Sequence, residues 1–354
     1  MVVFQALTWE TRDGEDEHLI SIFGKSEDGK SVCLTTAFTP YFFIKLPSGI
    51  DSQKVQRIYD ILCDKCKDSL VAYSLMKSKD VWGFQNNEEF AYMKINFKDL
   101  QARRLVDSFL RRPLNMTPDL FELFGVRTVK VYESNLDPVL RLMHRTGIQS
   151  TGWLDTGGKC VRSHLANVDI DLFCNDWTTL KPVVRDDIAP FVVASVDIEC
   201  NSSTGKFPDP NIPGDACFQI AISLCKFGSD EPYDKTCLCY KKTDPTLEGC
   251  DIRSYPTERE MLEAFQKYIH KKDIDIITGW NIFGFDMEYI YKRAQINRCH
   301  YDFYNLGKLK DTNSELVIKK LSSSALGDNL LKLLPMSGRF IFDLFHEVKK
   351  GYKL

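Results

Sequence analysis

Apolar and polar positions follow two different rhythms along the chain, and the change falls near residue 190. YFFIKL (41–46), LVAYSLM (70–76) and EFAYMKINF (89–97) are rich in β-branched and aromatic residues and read as strands. Asp51 to Lys67 and residues 98–112 carry apolar residues at helical spacing. In the second, Leu100, Leu105, Val106 and Phe109 are expected to turn inward. RTVKVYE (127–133) reads as a further strand. The order is β-α-β-β-α-β, which predicts a split βαβ or ferredoxin-like module. The residues before it alternate as hairpins, with EDGK (27–30) as a turn.

DWTTLKPVVRDDIAP (176–190) has two prolines and no periodicity, so it reads as a linker or domain edge. Beyond it the pattern becomes α/β. FVVASVDIE (191–199), CFQIAISLC (217–225) and CLCY (237–240) predict strands in succession, antiparallel to their neighbours. TEREMLEAFQKYIHKK (257–272) predicts a helix opened by a capping box, Thr257 with Glu260 three residues on. IDIITGW (274–280) predicts a buried strand and FDMEYIYKRAQI (285–296) a helix.

The 354 residues are 44% hydrophobic and 27% charged, a globular composition long enough for two or three cores. Forty-six basic against 49 acidic residues give a formal charge of −3, so any contact with nucleic acid must be local. No apolar run approaches the ~20 residues that span a bilayer, and the amino terminus lacks signal-peptide character. These features, with twelve scattered cysteines, predict a soluble, intracellular protein with reduced thiols and no membrane partner. The single CxxC, Cys63 and Cys66, lies in a helical pattern without a second ligand pair and reads as ordinary helix cysteines. FAYMKINF has the aromatic content of base-stacking strands but lacks the accompanying glycines, which favours packing against the helices. Arg103, Arg104, Arg111 and Arg112 suit either phosphate contact or a solvated helix face.

ASVDIECN (194–201) carries the chemistry. Side chains alternate along a strand, so Asp197 and Glu199 share one face, and two like charges there call for water, a cation or a metal between them. GWNIFGFD (279–286) follows another apolar strand and places Asp286 where a helix begins. Carboxylates at strand ends and helix starts of an α/β sheet converge on one crevice. Asp197, Glu199 and Asp286 therefore form a candidate cage for hard cations such as Mg2+ or Mn2+. The alternative for Asp286 is a favourable acid at a helix N-terminus.

DIE after an apolar strand, followed by NIFGFD, resembles the first and second exonuclease motifs of family B DNA polymerases. KFPDP (206–210), FQIA (218–221) and GRFIFDLFHEVKKGYKL (338–354) are similar to the intervening segments of that domain, and ESNLDPVLRLMHRTGIQSTGWL (133–154) resembles the amino-terminal domain of delta-like polymerases of large eukaryotic DNA viruses. The resemblance covers residue 40 onward. It implies an amino-terminal domain (1–189), with hairpins and the ferredoxin-like module, before a ribonuclease-H-like 3′-to-5′ exonuclease domain (190–354). It implies that Asp197, Glu199 and Asp286 are catalytic and hold the metals, Mg2+ or Mn2+, two ions in a complete site. Phe207 would lie against the frayed primer end, with a core loop anchor as the alternative, while Asn281 and Phe285 would hold the second motif's loop, Phe285 by packing. The implied partners are a DNA template-primer with its single-stranded 3′ end and, through a parent polymerase, a sliding clamp or other replication proteins. The site of action would be the host nucleus or a cytoplasmic replication site.

The family's third motif, Tyr-x-x-x-Asp, is not found between Asp286 and Leu354, and Asp343 in RFIFDLF reads as structural rather than as its substitute. No polymerase motif is present. The expectation is a partial DNA-directed DNA polymerase, a nucleotidyltransferase lacking palm, fingers and thumb, whose isolated nuclease portion is weak or inactive. The alternatives are a non-catalytic module binding DNA or replication partners, and a stand-alone ribonuclease-H-like nuclease completed by Asp343.

Overall fold

The structure, a computed structural model, describes residues 1–67, 69–111, 118–244, 247–323 and 327–352. Arg112 and the last two residues of the 338–354 stretch lie outside these. The chain opens with β1 (Val3–Asp13), β2 (His18–Lys25) and β3 (Ser31–Ala37), antiparallel in succession. The expected EDGK turn joins β2 to β3, with Gly29 at φ 84°. β4 (Tyr41–Lys45), α1 (Ser52–Lys65), β5 (Leu70–Ser78), β6 (Phe90–Phe97), α2 (Leu100–Arg111), α3 (Pro118–Phe124) and β7 (Val131–Tyr132) follow. The four strands form one sheet in the order β5-β6-β4-β7. Asp51 caps α1 by accepting from the Lys54 amide at 2.8 Å, and Val55, Ile58 and Leu62 line its buried face. Phe42, Ile44, Met93, Ile95 and Phe97 meet that face from the sheet.

Three expectations change here, and one holds. The strand expected over 127–133 shrinks to two residues, because it pairs only with Phe43 and Ile44 at the sheet edge. Leu105 is exposed, while Val106 and Phe109 are buried as expected, joined by Leu110. Arg103 is buried and donates to the Leu136 carbonyl at 2.7 Å, while Arg111 holds Asp107 and Ser134, so both fasten the chain after β7. The Cys66 thiol donates to the Leu62 carbonyl and packs in the core, as the helix reading required.

α4 (Pro138–Thr146) is capped by Asp137 and ends on Gly147 at φ 76°. β8 (Trp153–Asp155), β9 (Cys160–Arg162), β10 (Ile170–Cys174) and β11 (Lys181–Val183) then complete the first sheet, in the order β11-β8-β1-β2-β3-β10-β9. The stretch 176–190 is therefore only partly a linker: Lys181–Val183 pairs with β8, using a proline at a sheet edge where no amide is needed.

The remaining elements are β12 (Val192–Cys200), β13 (Cys217–Lys226), β14 (Asp234–Tyr240), β15 (Asp251–Tyr255), α5 (Glu258–Lys271), β16 (Ile276–Gly279), α6 (Asp286–Ile296), α7 (His300–Phe303), β17 (Val317–Ser323), β18 (Gly327–Leu333), β19 (Phe340–Asp343) and α8 (Leu344–Tyr352). Six strands form a sheet in the order β15-β14-β13-β12-β16-β19. β12, β13 and β14 are antiparallel neighbours, while β16 and β19 run parallel to β12. The capping box at Thr257 and Glu260 is formed. Ala194, Val196 and Ile198 pack with Met261, Leu262, Phe265 and Ile290 in the core beneath α5 and α6.

A buried ionic cluster ties this sheet to the first one. Asp275, 2% exposed and one residue before β16, accepts from Lys25 of β2 and from Lys308, each at 2.6 Å, and from the Val192 amide at 2.8 Å. Arg339 donates to the Ile274 carbonyl. The start of β12 and the start of β16 are thus held together at the joint between the sheets.

Candidate active site

β12 presents Ser195, Asp197 and Glu199 on its exposed face and Ala194, Val196 and Ile198 on its buried face. Gly279 ends the parallel neighbour β16, where a Cβ would lie 2.4 Å from the Val196 carbonyl oxygen. That approach lets the chain turn directly over β12. Asn281 takes the left-handed conformation at φ 60°, and its carbonyl accepts from the Gly284 and Phe285 amides at 2.9 and 3.1 Å. Asn281 and Phe285 thus build the turn that delivers Asp286 to the first position of α6.

Asp286 is 3% exposed and its Oδ1 has no hydrogen-bond partner among the described residues. Burial, then the charges of Asp197 and Asp343, push its carboxyl up to about 7, against the pull of the amides at its helix start and at Ile198. Asp197 and Asp286 are therefore brought together, while Glu199 follows on the same exposed face of β12. The closed three-carboxylate cage is not preformed: among the described residues no group of three His, Cys, Asp or Glu is arranged to hold a metal. Like charges on a solvated face repel until a cation joins them. The donor set still fits a hard divalent cation, because it is all carboxylate oxygen and includes one buried oxygen without a partner.

The folded-state value of Asp286 is raised, so its contribution to stability is complete below the ordinary carboxylate value of 3.8 and is lost as pH rises toward about 7. Asp286→Asn removes that loss. In chelator, the stability of the variant relative to the parent is expected to rise by about 2–3 kcal/mol between pH 5 and 8, read by urea unfolding. A difference that stays flat with pH would contradict the assignment.

Asp343, at the end of β19, is 2% exposed and accepts from the amides of Asn281 (2.8 Å), Phe283 (2.9 Å) and Phe345 (2.9 Å). Its oxygens are committed to the turn before Asp286, which agrees with the structural reading. Asp343→Ala leaves three amides without their acceptor. It should lower stability by about 1–3 kcal/mol and disturb the Asp286 turn. An unchanged melting temperature would refute that role.

Phe207 is 78% exposed and is no core anchor; its ring stands edge-on to Phe285 at 5.2 Å. The loop carrying it is held from below by residues the sequence analysis did not single out. Asp215 is fully buried and accepts from the amides of Ser203 and Asp209 and the Ser203 hydroxyl, bonds that hold its carboxyl below the usual range. The Tyr289 hydroxyl donates to the Asp215 carbonyl at 2.8 Å. Arg293, 2% exposed, forks onto Glu258 at 2.8 and 2.5 Å and also donates to the carbonyls of Pro210, Ile212 and Pro213. Tyr289, Ile290 and Arg293 follow Asp286 at helical spacing. An arginine on that core-facing stripe was the available signal.

The family model for the exonuclease domain of DNA polymerase family B matches residues 129–354. A DNA polymerase of Acanthamoeba polyphaga mimivirus is 31% identical over 318 residues, spanning 82% of this chain and 18% of that protein. A DNA polymerase of Paramecium bursaria Chlorella virus NY2A is 28% identical over 100% of this chain and 38% of its own length. The DNA polymerase delta catalytic subunit of Schizosaccharomyces pombe is 28% identical over 95% of the chain and 31% of its own length. This chain thus spans well under half of the curated relatives it matches. Among solved structures, the family B DNA polymerase of Pyrobaculum calidifontis shares the fold with a TM-score of 0.63, at 18% identity over 99% of this chain and 37% of that one. On the match to residues 129–354, the chain belongs to the exonuclease-domain family of the family B DNA polymerases.

Proposed function

We propose that this chain is the proofreading portion of a DNA-directed DNA polymerase serving viral DNA replication, and that it removes nucleotides from a DNA 3′ end. The observation that carries the reading is Asp286, with its unpartnered buried oxygen, beside Asp197 of the DIE strand. The boundary is proposed at 189/190, between β11 of the first sheet and β12 of the second. The six-stranded order, antiparallel on one side of β12 and parallel on the other, supports a ribonuclease-H-like domain. The order β5-β6-β4-β7 with α1 and α2 on one face supports a ferredoxin-like module.

Asp197, Glu199 and Asp286 would hold Mg2+ or Mn2+. Bound there, divalent ions lower the pKa of water and stabilise charge on the attacking and leaving oxygens of a phosphodiester. The chain's own part is to orient the strand end. The exposed Phe207 ring, braced by Phe285, offers a stacking surface indifferent to base identity, as removal of any mismatch requires. The isolated chain should excise slowly, since Asp343 is committed to backbone amides. The test is a 3′-mismatched, end-labelled primer-template incubated with Mg2+ or Mn2+ and with chelator. Metal-dependent release of single nucleotides from the 3′ end supports the reading. Internal cleavage, or release that persists in chelator, refutes it.

A further inference from the structure

The open face of the four-stranded sheet carries a second concentration of chemistry, independent of the nuclease reading. β4 buries Phe42 and Ile44 against the helices, so Tyr41 and Phe43 point to the opposite face, and pairing with β6 sets Lys94 directly across from Phe43. α4 adds Arg141 and Arg145, one turn apart. With Tyr41, Phe43, Glu133 and His144 these two arginines line an open cavity of about 450 Å3, and Lys94 lies over the ring of its Tyr41.

Its cations are poorly compensated. Arg141 is 5% exposed; one guanidinium nitrogen, Nη2, meets the Glu133 carbonyl at 3.0 Å and its carboxylate at 3.1 Å. The other, Nη1, is buried and has no hydrogen-bond partner among the described residues. The Arg141 guanidinium and the Lys94 ammonium both lie over the Tyr41 ring, at 3.8 and 3.9 Å. Burial, then Arg145 and Arg141, push the Lys94 ammonium below its ordinary value. The lining pairs two arginines with one half-exposed carboxylate, Glu133, with Lys94 close by over Tyr41, and a buried donor left unsatisfied costs about 1–3 kcal/mol. An anion with several acceptor oxygens would satisfy both deficits.

We propose that this cavity is a non-catalytic binding site for a phosphate group, held by Arg141 Nη1, Arg145 and Lys94. Arg suits phosphate because its planar fork matches two oxygens at once. The same chemistry is offered by a phosphodiester of a single strand and by a free phosphate.

The experiment uses the full chain in chelator, with a fluorescent oligodeoxythymidylate followed by anisotropy across salt concentrations and inorganic pyrophosphate followed by calorimetry. Arg145→Ala and Lys94→Met are the main variants, because truncating the buried Arg141 risks the fold; Arg141→Met is added if its melting is unchanged. If a strand phosphate is the ligand, each variant weakens the oligonucleotide and lowers the slope of log affinity against log salt by about 0.7–1. If a free phosphate is the ligand, pyrophosphate binding falls at least several-fold in both variants while the oligonucleotide slope stays constant. Either result supports the site and names its source. Unchanged binding of both probes in both variants overturns it.

Discussion

Glu258→Ala should cost about 3–5 kcal/mol of unfolding free energy, because it leaves Arg293 charged and buried without its counter-ion. Glu258 also accepts from the Cys217 amide at 3.0 Å and from Asn297 at 2.9 Å, so one truncation frees donors on β13 and α6 together. Replacing both members, Glu258→Leu with Arg293→Met, should recover much of the loss, since apolar pairs of similar volume are often no worse than a buried ion pair. Excision should not recover with it. Arg293 also holds the Pro210, Ile212 and Pro213 carbonyls, so the Phe207 loop lacks that anchor in the double variant. Denaturant unfolding of the two single variants and the double closes the cycle. A Glu258→Ala cost below about 1 kcal/mol would refute the ionic anchor.

Asp197→Ala should reduce excision by about 10²–10³-fold or to background, the equivalent of several kcal/mol of lost transition-state stabilisation. Asp197 is exposed at the end of β12, and the hydrogen bonds described above for the loop run through Asp215, Tyr289 and Arg293, so the fold should survive the change. Stability should even rise slightly in chelator, because Asp197 is one of the charges that oppose ionisation of Asp286. A variant that melts normally and still excises at the parental rate would remove Asp197 from the site.

The parts of this architecture governed by local rules were legible in the sequence. Alternation placed Asp197 and Glu199 on one face of β12, the capping box marked the start of α5, and NIFGFD marked the start of α6. What escaped was made by distant pairs. Arg293 meets Glu258 across 35 positions, and Lys25 reaches Asp275 from another sheet. Each is a charged residue at a core-facing position, which periodicity alone reads as a blemish in an apolar stripe rather than as half of a pair. The hairpin of β17 and β18 also escaped, because VIKKLSS lacks strict alternation. Its position is fixed by tertiary bonds, the Lys332 amide to the Phe283 carbonyl and the Lys332 ammonium to Glu288. Leu105 failed for a related reason: helical spacing puts it beside the apolar stripe of α2, and among the described residues that side stays exposed.

The central claim is that Asp197 and Asp286 share a divalent metal. The most direct test is Mn2+ binding at pH 8 by the full chain, followed by electron paramagnetic resonance, beside Asp197→Ala and Asp286→Asn. Binding by the parent chain that weakens at least tenfold in each variant, with melting behaviour showing both folded, is the result predicted. Equal Mn2+ binding by all three chains would contradict the claim and place the metal chemistry elsewhere.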